Sequence, residues 1–171
     1  SSVKGKIAGI VGLGDIGKAI AQRLNVMGIN AIGYDPYLKD KNVEKVIKVK
    51  NWPEDVEKLD YLFLACSLTE ETRHLINSST ISKFKPMIKI INVSRGPLIN
   101  EKDLIQALDS NLVGGAALDV YEEEPLSKKS TLLNYKNLIF GAHNASNTFE
   151  AVMRTSYLAL EKMADFLKSQ P

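Results

Sequence analysis

Three glycines and one acidic residue near the amino end of the chain have a spacing that suits phosphate and sugar binding. Gly12, Gly14 and Gly17 lie between an apolar run and a helical pattern, and Asp35 ends the next apolar run. The first glycine allows a tight turn, the second lets a pyrophosphate approach the backbone, and the third lets the helix pack closely on a sheet. Together they predict a strand, a turn, a helix and a second strand that bind a dinucleotide.

The first turn of that helix is where the phosphates are expected. Its N–H groups have no partners within the helix, and the helix dipole favours negative charge there. Asp35 would accept hydrogen bonds from both hydroxyls of an adenosine ribose, whereas a 2′-phosphate would meet its carboxylate. The sequence therefore favours NAD over NADP, although Lys39, just past Asp35, would soften this preference.

A second group of polar residues, later in the chain, has the types needed to bind a carboxylate and move a proton. Arg95 follows an apolar run, and its guanidinium fits a carboxylate with a neighbouring carbonyl oxygen; a surface ion pair is the alternative. His143 follows the last apolar run, where a general acid or base would reach a substrate. Glu124 differs from the two glutamates before it, which are typical of a solvated loop, because a proline restricts its backbone.

Two other reactive side chains are given ordinary roles. His74 is expected on a short helix, in a surface or packing role. Cys66 is the single cysteine, which excludes an internal disulfide and suits a reducing, cytoplasmic location. It is expected to be a small buried hydrophobe near the cofactor. No spacing typical of metal ligands is found, so no metal site is predicted.

Seven apolar runs predict the strands that must position these residues. Several runs are apolar at almost every position, which favours parallel strands covered on both faces of a sheet. Polar residues follow nearly all of them, at the edge where doubly wound sheets bind ligands. The predicted strands are Ile7–Val11, Asn30–Tyr34, Val46–Val49, Tyr61–Cys66, Ile88–Val93, Gly115–Val120 and Leu138–Gly141.

Helical patterns alternate with these strands. Gly28 is placed to end the first helix, and Asn100 to begin another with Asp103 at its third position. Residues 51–55 resemble a helix start, Thr69 could cap a short turn, and a helix near Ile81–Phe84 would stop before a proline. Residues 149–169 form a long amphipathic helix. Alternating strands and helices predict one doubly wound α/β domain, the Rossmann fold.

Composition excludes several classes of protein. The chain has 171 residues, of which 44% are hydrophobic and 25% charged, as in an ordinary globular domain. A net charge of +2 is too small to indicate nucleic-acid or anionic-membrane partners. No apolar stretch is long enough to predict a membrane span.

The sequence resembles the NAD-binding domain of the D-isomer-specific 2-hydroxyacid dehydrogenases over essentially its whole length. Four segments carry the resemblance: residues 4–17, 67–77, 91–100 and 117–125. It implies that Arg95 binds the substrate's carboxylate and carbonyl, that His143 is the proton donor and acceptor, and that Glu124 holds His143. It also implies that the backbone around Asp15 and Ile16 meets the pyrophosphate. The nicotinamide end would be lined by Ser67, Val93, Ser94, Arg95, Asp119, His143, Ala145 and Ser146.

The resemblance also implies a second domain. Family enzymes carry a flavodoxin-like substrate domain, so residues 1–171 are expected to be the cofactor domain alone, with residues 149–169 leading back to the missing part. The isolated chain should bind NAD and turn over little, since the cleft that orients substrate is absent. The family usually has Pro-His where this chain has Ala142-His143, and Ser67 replaces a common Pro. Both departures bear on which 2-keto acid is used, for example 3-phosphohydroxypyruvate, glyoxylate or hydroxypyruvate.

Two alternative functions and one assembly are also considered. Corepressor relatives use this domain as an NADH-sensing module that binds partner peptides. Another Rossmann enzyme, for example one that uses NADP, is a further alternative. The family also suggests a homodimer formed through this domain, with residues 97–114 as a candidate contact.

Overall fold

The described residues form one parallel sheet of seven strands. The computed structural model describes residues 2–38 and 47–169. The strands are β1 (Ile7–Val11), β2 (Asn30–Tyr34), β3 (Lys48–Lys50), β4 (Tyr61–Leu64), β5 (Ile88–Asn92), β6 (Val113–Leu118) and β7 (Leu138–Phe140). In spatial order they are β3, β2, β1, β4, β5, β6 and β7, all parallel to their neighbours. The chain reverses its direction of winding between β1 and β4, the position where such sheets bind ligands.

In the described residues, α-helices follow β1, β4, β5 and β7. They are α1 (Asp15–Val26), α2 (Ser78–Ile81), α3 (Glu101–Asp109) and α4 (Phe149–Lys168). As predicted, Gly28 follows α1 with a φ of +73°, and the Asn100 side chain accepts a hydrogen bond from the Asp103 N–H. No helix in the part of the chain that the structure describes is long and apolar enough to cross a membrane.

Several predicted boundaries were wrong by a few residues. The predictions for β4, β5 and β7 ran too far, because Cys66, Val93 and Gly141 already belong to the loops that follow the strands. The prediction for β6 was shifted by two residues toward the carboxyl end. The prediction for β3 began at Val46, which lies outside the described residues, and the strand extends to Lys50. Lys39, which was expected to soften the preference for NAD, also lies outside the described residues.

Two predicted helices are shorter than expected. Residues 51–55 form turns that lead only into a 3-10 helix at Val56–Lys58, and the helix expected near Ile81–Phe84 is α2, which ends at Ile81. His74 lies in a turn with a φ of +50° rather than on a helix. In each case, residues that favour a helix form only a turn or one short helical turn.

The prediction that the sheet is covered on both faces holds for one half only. β1 and β2 are buried almost throughout, because α1 packs across them. On the same face, β4 to β7 carry Tyr61 and Ile91, which are half-buried, and Ile139, which is 71% exposed. They border an open apolar depression of about 440 Å³. Within the described residues nothing covers it, and α4 likewise has no buried residue.

An ionic cluster at the amino ends of β1 and β4 holds these two strands together. The Asp60 carboxylate accepts hydrogen bonds from Lys85 Nζ (2.7 Å), the Ile7 N–H (3.0 Å) and Lys6 Nζ (3.2 Å). Burial raises the pKa of Asp60, but these hydrogen bonds outweigh it and lower the pKa from 3.8 to about 2. A carboxyl with a lowered pKa stabilises the fold above its usual pKa, and this stability is lost as the pH falls toward the lowered one.

Replacing Asp60 by asparagine is therefore expected to lower the free energy of unfolding at pH 7 by about 1–2 kcal/mol. The difference from the original protein should shrink as the pH falls from about 5 toward 2. Urea denaturation across that range measures it. The control is Glu57→Gln, since Glu57 is exposed and 4.0 Å from Lys58. An equal loss in both variants would contradict the role given to Asp60.

Candidate functional site

The residues singled out from the sequence lie at the carboxyl edge of the sheet. They form two groups, one around the turn between β1 and α1 and one around the loops that follow β5, β6 and β7. The first group is Gly12, Gly14, Asp15, Ile16, Gly17, Asp35 and Ser67. The second is Val93, Ser94, Arg95, Asp119, Glu124, His143, Ala145 and Ser146.

The glycine turn has no room for side chains at two of its three glycines. Gly12 has a φ of +90°, and a Cβ there would lie 2.6 Å from the backbone of Cys66. A Cβ on Gly17 would lie 2.0 Å from the carbonyl oxygen of Gly12. Because these two glycines have no side chains, α1 can begin close to the carboxyl end of β1, where the winding direction changes between β1 and β4.

Gly14 is different, because the space beside it is open. It is the N-cap residue of α1, with no side-chain cap, and an added Cβ would meet no atom within 4 Å. The first-turn N–H groups, including those of Asp15 and Ile16, follow this open position at the positive end of the helix dipole. This opening fits the pyrophosphate of a dinucleotide.

Asp35 lies beside this turn and is half-buried rather than turned into solvent. One of its carboxylate oxygens accepts a hydrogen bond from the Leu13 N–H (2.8 Å) and the other from the Tyr37 N–H (2.9 Å). A pocket of about 330 Å³ adjoins it. The pocket is lined by Val11, Gly12, Gly14, Tyr34–Tyr37, Ala65–Ser67, Thr69, Glu71 and Thr72.

A buried amide shapes the loop that carries Arg95. Asn92 is 0% exposed, and its side chain donates to the Arg95 carbonyl (2.9 Å) and accepts from the Ser94 N–H (3.1 Å). Ser94 Oγ in turn donates to the Cys66 carbonyl. No role was predicted for Asn92, although an amide that ends an apolar strand is the signal that could have found it.

Arg95 is exposed at the edge of the sheet. Its Nη1 donates to the carbonyl of Ser94 (2.7 Å), which leaves the rest of its guanidinium fork for other acceptors. The next residue, Gly96, packs directly on the segment that follows β6, since a Cβ there would lie 1.7 Å from the Tyr121 carbonyl oxygen. This contact joins the Arg95 loop to the loop of Glu124.

Glu124 and His143 form a hydrogen-bonded pair. Glu124 Oε2 lies 2.6 Å from His143 Nδ1, and Glu124 Oε1 accepts from the Tyr121 N–H (3.0 Å). The hydrogen bond with His143 is the largest of the influences that lower the pKa of Glu124; the N–H of Tyr121 and the positive charge of Arg95 also contribute. Glu124 is thus held ionised against one ring nitrogen of His143, Nδ1.

The His143 loop is anchored by Asp119. The two carboxylate oxygens of Asp119 accept hydrogen bonds from the N–H groups of Asn144 (3.2 Å) and Ala145 (2.9 Å), and the Asp119 carbonyl accepts one from the His143 N–H (2.7 Å). Asp119 was predicted only to line the nicotinamide end of the cofactor, and this anchoring function was not predicted. A cavity of about 490 Å³ adjoins the loop. It is lined by Tyr121, Glu124, Pro125, Leu126, Phe140, Gly141, Ala142 and His143.

His74 and Cys66 lie in different surroundings. His74 Nε2 is 2.5 Å from Glu122 Oε1, so this histidine has a specific partner rather than a plain surface position. Cys66 is half-buried, and burial raises the pKa of its thiol to about 11, which makes it a poor nucleophile. In the parts of the chain that the structure describes, no three His, Cys, Asp or Glu side chains are grouped to hold a metal ion.

Comparison with known families and curated proteins gives consistent results. Residues 1–145 match the family described as D-isomer specific 2-hydroxyacid dehydrogenase, NAD binding domain. The chain is 36% identical to D-3-phosphoglycerate dehydrogenase of Bacillus subtilis, over 100% of this chain and 33% of that protein. It is 37% identical to glyoxylate reductase of Thermofilum pendens, over 98% of this chain and 50% of that protein. The chain thus spans about a third to a half of the length of these relatives.

Solved structures give the same picture. A glyoxylate reductase from Paecilomyes thermophila superimposes with a TM-score of 0.92 and 31% identity, covering 99% of this chain and 51% of that one. A D-lactate dehydrogenase from Treponema pallidum gives a TM-score of 0.90 at 27% identity, covering 100% of this chain and 55% of the other. All four of these similar proteins are named as enzymes, and none of the four names supports the corepressor alternative.

Proposed function

Because this chain belongs to the D-isomer specific 2-hydroxyacid dehydrogenases, as their NAD-binding domain, we propose that it carries the reacting half of an enzyme that interconverts a 2-keto acid and a D-2-hydroxy acid. The observation that carries this proposal is the Glu124–His143 pair, 2.6 Å long, beside Arg95 at the same edge of the sheet as the glycine turn. A bound nicotinamide would supply hydride transfer to the C2 carbon of the keto acid.

His143 is the proposed proton donor for that reduction. Its Nδ1 is engaged by ionised Glu124, so Nε2 is the atom that gives its proton to the C2 oxygen as the C=O electron pair moves onto that oxygen. In the reverse direction, Nε2 takes the proton from the hydroxyl. Glu124 then sets the tautomer and stabilises the protonated ring.

Arg95 is the proposed substrate anchor. Its guanidinium offers two parallel N–H donors to the carboxylate of the acid and a further donor to the C2 oxygen, which gains negative charge in the transition state. Asn92 acts through the backbone, since it fixes the Arg95 carbonyl. Val93 and Ser94 belong to the same loop and would line the nicotinamide end, with Ser67, Asp119, Ala145 and Ser146.

The glycine turn and Asp35 are the proposed sites for the rest of the cofactor. The N–H groups at Asp15 and Ile16 would bind the pyrophosphate, in the open space beside Gly14. Asp35 would accept the ribose hydroxyls, since each carboxylate oxygen has a second lone pair beyond its bond to Leu13 or Tyr37.

The substrate is proposed as a small 2-keto acid of the kind that the named relatives use, with 3-phosphohydroxypyruvate, glyoxylate and hydroxypyruvate as the first candidates. We further propose that residues 1–171 are the cofactor domain of a longer, cytoplasmic, homodimeric enzyme, and that residues 149–169 connect to its substrate domain. The support is the exposed apolar face of α4 and the length of the relatives. Light scattering of the enzyme and cell fractionation test the assembly and the location.

The activity is tested by following NADH absorbance in the dehydrogenase that carries this domain, with each candidate keto acid in turn. We expect oxidation of NADH with at least one of them, and a D-2-hydroxy acid as product. A protein that binds NADH but reduces no 2-keto acid, and that captures a peptide ligand instead, would support the corepressor alternative.

A further inference from the structure

Two loops are joined by a hydrogen bond across the adenosine end of the proposed cofactor site. Tyr37 Oη donates to Glu71 Oε2 over 3.0 Å. Tyr37 follows β2 and Glu71 follows β4, and β1 lies between these two strands in the sheet. The bridge therefore passes over the carboxyl end of β1, where the glycine turn begins, and both residues line the pocket of about 330 Å³.

Both ends of this bridge are held in place. The Tyr37 N–H donates to Asp35 Oδ1 (2.9 Å), which ties Tyr37 to the residue proposed to bind the ribose. The loop of Glu71 is closed by a hydrogen bond from the Thr69 N–H to Thr72 Oγ1 (2.7 Å). The hydrogen bond to Glu71 also raises the pKa of Tyr37 above its usual 10, as expected for a phenol whose proton is held by a carboxylate.

We propose that Glu71, oriented by Tyr37, is a second selectivity residue that rejects the 2′-phosphate of NADPH. This inference rests on the proposed cofactor site. A phosphate on the ribose would enter a pocket lined by two carboxylates, Asp35 and Glu71, and neither has a described cation within salt-bridge distance. Neutralising Asp35 alone would leave the charge of Glu71 in place, so both residues must change before NADPH is accepted well.

The neighbouring glutamate offers a matched control. Glu70 is exposed, carries the same charge on the same turn, and does not line the pocket among the described residues. The experiment titrates the chain with NADH and with NADPH by fluorescence, for the original protein, Glu71→Gln and Glu70→Gln. Glu71→Gln keeps an oxygen that accepts from Tyr37 and removes only the charge.

We expect Glu71→Gln to bind NADPH about threefold to tenfold more tightly, with NADH affinity changed by less than about twofold. The gain should shrink as the salt concentration rises, which a merely structural effect would not do. Glu70→Gln should leave both affinities unchanged. Asp35→Ser with Glu71→Gln should bind NADPH more tightly than Asp35→Ser alone, and Tyr37→Phe, which frees Glu71, should give part of the gain.

The outcomes separate the two proposals. If NADH binds and Glu71→Gln gives no more NADPH affinity than Glu70→Gln, the role of Glu71 is wrong and the cofactor site stands. If neither dinucleotide binds the original chain, both proposals are wrong. Circular dichroism of each variant checks that it is folded, and Tyr37→Phe supplies an independent reading if Glu71→Gln is not.

Discussion

Replacing His143 by asparagine in the dehydrogenase that carries this domain is expected to lower kcat by about 10²- to 10⁴-fold. Asparagine cannot give the C2 oxygen a proton. It also removes the ring nitrogen, Nδ1, that lies 2.6 Å from Glu124 Oε2. The affinity for NADH should change little, because the proposed pyrophosphate and ribose contacts lie around Gly14 and Asp35. Steady-state kinetics with the keto acid, together with an NADH titration, separate the two effects.

The second histidine of the chain supplies the control for that experiment. His74 is hydrogen-bonded to Glu122 rather than to Glu124, and His74→Asn should leave kcat within about threefold of the original value. If His143→Asn were no worse than His74→Asn, His143 would not be the proton donor, and the proposed chemistry would have to be assigned to another residue.

Replacing Gly14 by serine is expected to weaken NADH binding strongly without loss of stability. Serine is a favoured N-cap residue, and an added Cβ at Gly14 meets no atom within 4 Å. Its side chain would occupy the space beside the first-turn N–H groups and accept one of them, so the pyrophosphate would lose both its room and a donor. We expect the affinity for NADH to fall at least about tenfold.

Gly12→Ala provides the comparison for Gly14→Ser. At Gly12 the φ is +90° and a Cβ would lie 2.6 Å from the backbone of Cys66, so this change should lower both the melting temperature and the affinity for NADH. Thermal unfolding and fluorescence titration of both variants measure the contrast. Undiminished NADH binding by a folded Gly14→Ser protein would place the pyrophosphate elsewhere.

The parts of the fold that sequence predicted well are those with a strong local signal. The strands on either side of the glycine turn, β1 and β2, were predicted to the residue, because β1 is an apolar run that ends at Gly12 and β2 is a mostly apolar run that ends at Asp35. The helix α4, which is long, amphipathic and capped by Thr148, was predicted to within one residue, since it ends at Lys168 rather than at residue 169. Short elements such as α2 carry too few residues for a pattern to fix their bounds.

The anchoring function of Asp119 was missed because it depends on contacts between distant segments. Its carboxylate binds the backbone of Asn144 and Ala145, and the local pattern does not reveal their positions. Asn92 is different, because its bonds to Ser94 and Arg95 are local and the buried amide at the end of β5 was a signal that went unused. The predicted cover on both faces of the sheet failed for β4 to β7. The apolar residues of those strands predict that both faces are buried, but they do not show whether the element that covers them lies within the described residues.

A crystal structure of this chain with NAD bound tests the central claim most directly. We expect the pyrophosphate within hydrogen-bonding distance of the N–H groups at Asp15 and Ile16, both adenosine ribose hydroxyls on the Asp35 carboxylate, and the nicotinamide ring on the side of His143. Adenosine density away from Asp35, or a pyrophosphate that leaves the amino end of α1 untouched, would contradict the account.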